Sequence, residues 1–530
     1  METRLTWWQR GVIYHVYPRS FLDTDGDGVG DLPGITRGLQ HLAWLGVDAV
    51  WISPIYPSPT ADFGYDIADY TAIDPRFGTL GDFEALVAEA HRLGLKLILD
   101  YVPNHSSDRH PWFTASRSSR DDPRRNWYVW RDPAPDGGPP TNWLSVFGGP
   151  AWTWDEATRQ FYYHAYLSAQ PDLNWREPAV RAAMLDVMRF WFDRGVDGFR
   201  IDALRQLVED DRLIDNPANP AHDPRRGPYD ALLPVHTADR PETLEALAAM
   251  RRLADAYPDR VLIGELYLPI DRLMAYYGAA RDGAHLPSNF HLLKAPWDAR
   301  AIAGLIESYE AALPPGAWPN WVLGNHDRPR VASRLGAARA RSAAMLLLTL
   351  RGTPTLYYGD EIGMTDVPIP PELVQDPWEK NVPGLGLGRD PERTPMQWSA
   401  EENAGFTTGR PWLPIAPDAA RVNVARERGD RTSILSLHRR LLALRRERPA
   451  LTAGRYDAVG ARGEVLTYVR SEGSDRCLVA LNLGSSAASV SVPDGVRGGR
   501  VLASTGMDRE GAAVGEALDL RADEGVVVAR

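Results

Sequence analysis

Carboxylates recur where short apolar runs end, and chemistry can be built at such points. Asp100-Tyr-Val-Pro-Asn-His105 closes one run, Gly198-Phe-Arg200-Ile-Asp202 a second, Ile263-Gly-Glu265 a third and Gly324-Asn-His326-Asp327 a fourth. One carboxylate placed this way reads as a helix N-cap or a surface ion pair. Asp202, Glu265 and Asp327 converging with His105, His326 and Arg200 on one mouth would carry a large desolvation cost without a function to justify it. Two carboxyl groups suffice to break a glycosidic bond, one attacking or stabilising the oxocarbenium-like centre while the other donates a proton. A hydrolytic metal is the competing reading, but HExxH and Cys/His ligand spacings are absent from the sequence.

The runs themselves imply the scaffold. Strands are expected at 12–17, 49–53, 96–102, 198–202, 261–266, 289–293, 321–324 and 353–358. Consecutive apolar positions mark strands buried on both faces, as in a parallel sheet. Amphipathic helices lie between them, among them 80–93, 180–194 and 242–256, the first two followed by Gly94 and Gly195. Eight β-then-α units predict an α/β protein built on a closed (β/α)8 TIM barrel rather than an open sheet. The barrel is expected over 1–104 and 176–452, closed by a helix at 432–446. Residues 105–175, rich in Pro, Gly, Asp and aromatics, predict an inserted loop-rich subdomain after strand 3. Residues 453–530, with Val/Leu alternation as in Glu464-Val-Leu-Thr-Tyr-Val-Arg470, predict a C-terminal antiparallel β-sandwich.

Composition narrows the function classes. Against 59 Lys and Arg stand 70 Asp and Glu, a net charge of −11, so neither a nucleic-acid nor a membrane partner is expected. No GxGxxG or P-loop pattern favours a nucleotide. The N-terminus, Met1-Glu-Thr-Arg-Leu-Thr-Trp-Trp-Gln-Arg10, lacks an apolar signal core, no stretch reaches transmembrane length, and Cys477 is the single cysteine. A cytoplasmic protein, monomeric or weakly homo-oligomeric, is the expectation, with Cys477 a packed core thiol. The 18 Trp offer flat faces for sugars or simply fill cores.

The four strand-end segments resemble the signature segments of the α-amylase superfamily, glycoside hydrolase family 13. Tyr14-His-Val-Tyr17, Gln170-Pro-Asp-Leu-Asn-Trp175 and Arg393-Thr-Pro-Met-Gln-Trp398 resemble its exo-acting α-glucosidases and oligo-1,6-glucosidases. The resemblance implies a retaining mechanism on short α-glucosides without an organic cofactor. Asp202 would be the nucleophile. Glu265 would be the acid and then the base, its pKa raised before attack. Asp327 would bind the 2- and 3-hydroxyls, Arg200 would keep Asp202 ionised, and His105 and His326 would be neutral hydroxyl partners. In Asp62-Phe-Gly-Tyr65-Asp66, Tyr65 would stack on the sugar while Asp62 and Arg393 grip its 4-hydroxyl. Phe147 and Tyr166 are candidates for the pocket wall. The segments 214–239 and 368–389 are expected to rim the mouth.

Asp23-Thr-Asp25-Gly-Asp27-Gly-Val29-Gly-Asp31 has the alternating carboxylates of a hard-cation loop, yet Gly34 stands where an EF-hand needs Glu. The resemblance implies a structural Ca2+ or Mg2+ held by Asp23, Asp25, Asp27, Asp31 and the Val29 carbonyl. Ala203, rather than Val, after the nucleophile implies a preference for α-1,4 over α-1,6 links, with activity on sucrose or trehalose open. A transglucosylase or sucrose isomerase would use the same glucosyl-enzyme. A non-catalytic relative or a lectin-like module would not need all three acids.

Overall fold

The computed structural model describes residues 5–530. Eight short strands close a parallel barrel: β1 (Ile13–Val16), β2 (Ala49–Ile52), β3 (Lys96–Tyr101), β4 (Gly198–Ile201), β5 (Val261–Gly264), β6 (Leu286–Asn289), β7 (Asn320–Val322) and β8 (Thr353–Tyr357). Each pairs with its sequence neighbours, and β1 returns to β8 through Ile13 opposite Thr355. Nearly every strand residue is buried, as the unbroken apolar runs require. Side chains fill the interior, with Ile13, Ala49, Trp51, Ile98, Val261, Ile263 and Leu286 in one cluster.

Two strands lie N-terminal to their expected positions. The apolar run at 289–293 marks instead the end of β6 and a helical turn, His291–Lys294. The true strand, Leu286-Pro-Ser-Asn289, carries a proline and two buried polar residues, so it has no apolar signature. The strand expected at 321–324 spans Asn320–Val322, freeing the following residues for a turn.

Helices cover the barrel by ordinary amphipathic logic. In Leu80–Arg92, Phe83, Leu86, Val87 and Ala90 fall on one buried face. Thr79 and Asp82 satisfy each other's backbone N–H in a capping box. Burying each large side chain contributes about 1.5–3 kcal/mol.

Between β3 and β4 stands a small sheet of Trp130–Arg131, Gln160–Tyr163 and Trp152–Asp155 in that spatial order. Its core is aromatic: Trp143 stacks near Trp152, and Phe113 near Trp130. After helix Ile434–Glu447 comes a five-stranded antiparallel sheet, with a two-stranded sheet of Ala488–Ser491 and Ala517–Leu520 sharing its apolar cluster. Arg445, fully buried, donates from Nη1 to the carbonyls of Leu348, Leu350 and Leu451, tying the helix to the segment that leads into β8. Cys477 is buried, and burial pushes its thiol up to about 11. Among the described residues, no helix is long and apolar enough to cross a membrane.

Candidate active site

A cavity of about 680 Å³ opens at the C-terminal ends of the strands. Asp202, one residue past β4, lines it together with Glu265, one past β5, and Asp327, beyond β7. The alternation of a strand puts Arg200 on the same face as Asp202. Its Nη1 donates to Asp202 Oδ1 at 2.6 Å and to Asp100 Oδ1 at 2.7 Å, while Nη2 lies 3.0 Å from Glu265 Oε2. One guanidinium therefore holds three carboxyl groups. The backbone then turns sharply: Ala203 sits in the left-handed region at φ 49° and donates its N–H to Glu265 Oε2 at 2.9 Å. Strain of this kind at a non-glycine residue persists only where the surroundings enforce it.

Electrostatics in this cluster favour a retained proton. Burial pushes Asp202 up, Arg200 opposes it, and the Glu265 and Asp100 carboxylates add to the rise. Asp100, buried against the same guanidinium, is pushed up to about 6. Three acids facing one cation cannot all ionise cheaply. Asp202 and Glu265 thus face each other across one shared guanidinium.

Asp327 has the opposite character. Burial opposes its ionisation, but His326 at 3.5 Å, Arg389 at 3.3 Å and Arg393 at 2.8 Å override that and hold it far below the usual carboxylate range. Burial pushes the His326 imidazole itself well down, and Arg200 adds to the pull of the two arginines on Asp327. Asp327 is a fixed anion.

The inner end of the cavity is sealed by an ion pair that differs from the expected one. Asp62 does not meet Arg393. It pairs with Arg389, whose Nη2 lies 2.7 Å from Asp62 Oδ1 and 2.6 Å from Asp376 Oδ1. Arg393 lies behind Asp327, fully buried, donating also to the His326 carbonyl at 2.7 Å. The short helical turn Asp390–Arg393 separates the two arginines, so one reaches the cavity while the other supports its wall. Phe147 packs against the Arg389 guanidinium at 4.8 Å. Burial pushes Asp62 up to about 6 despite Arg389.

The remaining expected residues line the same space. Tyr65 stacks on His326 with centroids 5.5 Å apart, and its hydroxyl reaches Asp100 Oδ2 at 3.0 Å and His326 Nε2 at 2.9 Å. His105, which burial pushes down to about 3, lies beside Gln170, whose amide also donates to Asp62 Oδ2 at 3.3 Å. Tyr166 packs against His105 at a tilt and against Phe147 edgewise, and donates to Gln206. Sequence reasoning missed Arg389, Asp376 and Tyr267. Arg389-Asp390 belongs to no motif on its face, whereas the neighbouring Arg393 opens a conspicuous one. Among the described residues, Trp378 is the one tryptophan lining the cavity, so the indole surplus serves packing instead.

The acidic loop 23–31 lies away from the cavity. Oxygens of Asp23, Asp25 and Asp27 fall within 4.8 Å of one another, a hard-oxygen donor set that fits a divalent cation. Asp31 stands outside that group. It is the N-cap of helix Leu32–Leu45, accepting from Gly34 N at 2.6 Å and from Thr24 N at 2.7 Å. Val29 directs its N–H to Asp27 Oδ1 at 2.7 Å.

Similarity to known proteins agrees with this architecture. The family model for the alpha-amylase catalytic domain matches residues 15–454. A probable alpha-glucosidase of Rhizobium meliloti is 43% identical over 509 residues, covering 93% of this chain and 92% of that protein. An oligo-1,6-glucosidase of Parageobacillus thermoglucosidasius is 36% identical, covering 92% of each. The crystal structure of the alpha-glucosyl transfer enzyme XgtA superimposes with a TM-score of 0.93 at 41% identity, covering 99% of both chains. The chain belongs to the α-amylase family of glycoside hydrolases, family 13, in its branch of exo-acting α-glucosidases and oligo-1,6-glucosidases.

Proposed function

We propose that the protein is a retaining exo-α-glucosidase that removes single glucose units from short α-glucosides, with α-1,4 links preferred. The observation that carries this reading is the shared guanidinium of Arg200 between Asp202 and Glu265, at a cavity whose far end is sealed by Asp62 and Arg389. Ionised Asp202 attacks the anomeric carbon as protonated Glu265 gives its proton to the departing glycosidic oxygen. A β-glucosyl ester on Asp202 results. Glu265, now charged, takes a proton from a water that attacks the same carbon, and α-glucose leaves. Asp327, ionised throughout, accepts from the 2- and 3-hydroxyls and favours the flattened, positively charged ring. Asp62 and Arg389 grip the 4-hydroxyl, where a longer chain would continue, so the enzyme trims rather than cuts internally.

Linkage preference rests on small Ala203 beside the leaving group. One side chain there changes selectivity by about 1–3 kcal/mol, so mixed activity is expected. Initial rates of glucose release from maltose, isomaltose, sucrose and trehalose test it, and faster release from isomaltose than from maltose overturns the preference. Transfer to a sugar acceptor is the second reading, favoured by the likeness to XgtA. Oligosaccharide or isomer products dominating at high maltose or sucrose would put transfer first.

The Asp62 carboxyl gives a pH signature. Burial pushes it up to about 6, above the ordinary aspartate range, and it grips the 4-hydroxyl only when ionised. The KM for maltose should therefore rise as pH falls through about 6, while Asp376 continues to hold Arg389. In Asp62→Asn the rise should be missing, and a flat wild-type KM between pH 7 and pH 5 contradicts the assignment.

We also infer that Asp23, Asp25 and Asp27 hold a structural Ca2+ or Mg2+, which would neutralise three crowded carboxylates and brace the loop beside Gly26 and Gly28. No catalytic step passes through it. Chelator treatment should lower the melting temperature by several degrees, restored by added Ca2+ or Mg2+. An unchanged melting curve contradicts the site.

A further inference from the structure

The chain is acidic overall, yet besides Arg389 the cavity is lined by five cations, Arg205, Arg225, Arg226, Lys294 and Arg328, of which Arg225, Arg226 and Lys294 are exposed and mark its outer half. Asp230 is the one carboxylate lining that half, and it is spent on Arg226 at 3.9 Å and His222 at 3.5 Å. Arg225 is paired with Asp223. Arg205, Lys294 and Arg328 have no ion-pair partner among the described residues. These three gather around Tyr267, which follows Glu265 by two residues and stacks on Phe290 with centroids 4.2 Å apart. The Lys294 Nζ lies 4.6 Å from the Tyr267 ring centre, the Arg328 guanidinium 5.6 Å from it, and Arg205 donates to the Tyr267 carbonyl at 3.1 Å. Arg328 Nε is buried without a hydrogen-bond partner.

Like charges gathered without ion-pair partners of their own repel one another, and the Lys294 amine registers it: burial, then Arg328, Arg205 and Arg226, push it down to about 8. An ordinary maltose leaving group, neutral and hydroxylated, does nothing to relieve that repulsion. An anion would do so, and the cluster lines the same cavity as Glu265 and Ala203, with Arg205 bonded to the backbone two residues past that acid.

We propose that the outer half of the cavity accepts a leaving group bearing a carboxylate or a phosphate, so that acidic α-glucosides are preferred substrates. This rests on the glucosidase reading above and adds the chemistry of the aglycone. The shared feature is an anionic oxygen group held by Arg205, Lys294 and Arg328 while glucose occupies the inner end. Hydrolysis itself is unchanged: Glu265 still protonates the bridging oxygen, and the acid leaves with its charge intact.

Matched substrates test it. Maltobionate and maltitol differ in a carboxylate against a hydroxymethyl group at the open-chain end, and sucrose 6'-phosphate carries on its fructose a phosphate that sucrose lacks. The expected result at low ionic strength is a kcat/KM about tenfold or more higher for at least one acid than for its neutral partner. That ratio should shrink in 0.5 M NaCl, because rim charges are screened. It should fall toward one in the double variant Lys294→Gln, Arg328→Gln. Preference confined to maltobionate assigns a carboxylate, and preference confined to sucrose 6'-phosphate assigns a phosphate. If maltose and maltitol are cleaved but neither acid is preferred, the acidic-aglycone proposal is overturned while the glucosidase reading stands. If α-glucose is released from none of these or from maltose, the glucosidase reading fails and takes this proposal with it.

Discussion

Asp202→Asn is expected to lower kcat on maltose by roughly 10⁴- to 10⁶-fold, the scale on which loss of a covalent nucleophile is felt. The substitution is nearly isosteric, so the cavity should survive. The Arg200 guanidinium keeps Asp100 and Glu265 as partners, so it is not left without counter-charge. Melting temperature and maltose binding should therefore change far less than turnover. Because burial and two neighbouring acids already push Asp202 toward its neutral form, removing its charge also relieves repulsion in the cluster. A small gain in stability is compatible with the loss of catalysis. The matched variant Asp202→Gly, given azide, should form β-glucosyl azide, since the anion enters from the face the carboxylate has vacated. Turnover within tenfold of wild type in Asp202→Asn contradicts the assignment of the nucleophile.

Arg389→Gln is expected to lower kcat/KM by roughly 10²- to 10³-fold. Arg389 is almost fully buried and joins Asp62, Asp327 and Asp376, so removal leaves acids unpaired in a dry site. Breaking a buried pair costs about 3–5 kcal/mol, and each 1.36 kcal/mol is tenfold. Asp62, pushed up to about 6 even with its partner present, would lose the main force keeping it ionised, so both 4-hydroxyl contacts go together. Arg389→Lys should recover part of the loss by restoring charge but not the planar fork that spans two carboxylates. The comparison with Arg393→Gln is informative, because Arg393 reaches Asp327 and the His326 carbonyl but not Asp62. If Arg393→Gln rather than Arg389→Gln abolishes discrimination at the glucose 4-position, the wall has been assigned to the wrong arginine.

The contrast between these two arginines also shows where sequence reasoning reaches and where it stops. Asp202, Glu265 and Asp327 were legible because each stands just beyond a buried strand, and a closed barrel brings such ends together. Arg200 was legible from the two-residue repeat of its strand. The partner of Asp62 was not legible, because it depends on how the segment 368–389 folds back over the mouth, and no local period encodes that. Strand β6 was misplaced for a different reason: Pro287, Ser288 and Asn289 are buried by tertiary packing that their polarity does not announce. The cap role of Asp31 was readable as well, because Leu32-Pro33 directly after it places proline in the first turn of a helix. The abundance of tryptophan carried little information on function, since Trp143, Trp175, Trp191 and Trp321 are core residues.

The central claim is that a glucosyl unit is carried on Asp202. It is tested most directly by mass spectrometry of peptides from enzyme quenched during reaction with a slow substrate, such as 5-fluoro-α-glucosyl fluoride. The account requires one fluoroglucosyl adduct, located on Asp202 in the peptide containing Gly198-Phe-Arg-Ile-Asp202-Ala203, formed and released at rates matching turnover. An adduct on another residue, or steady turnover with no adduct at any quench time, would contradict it.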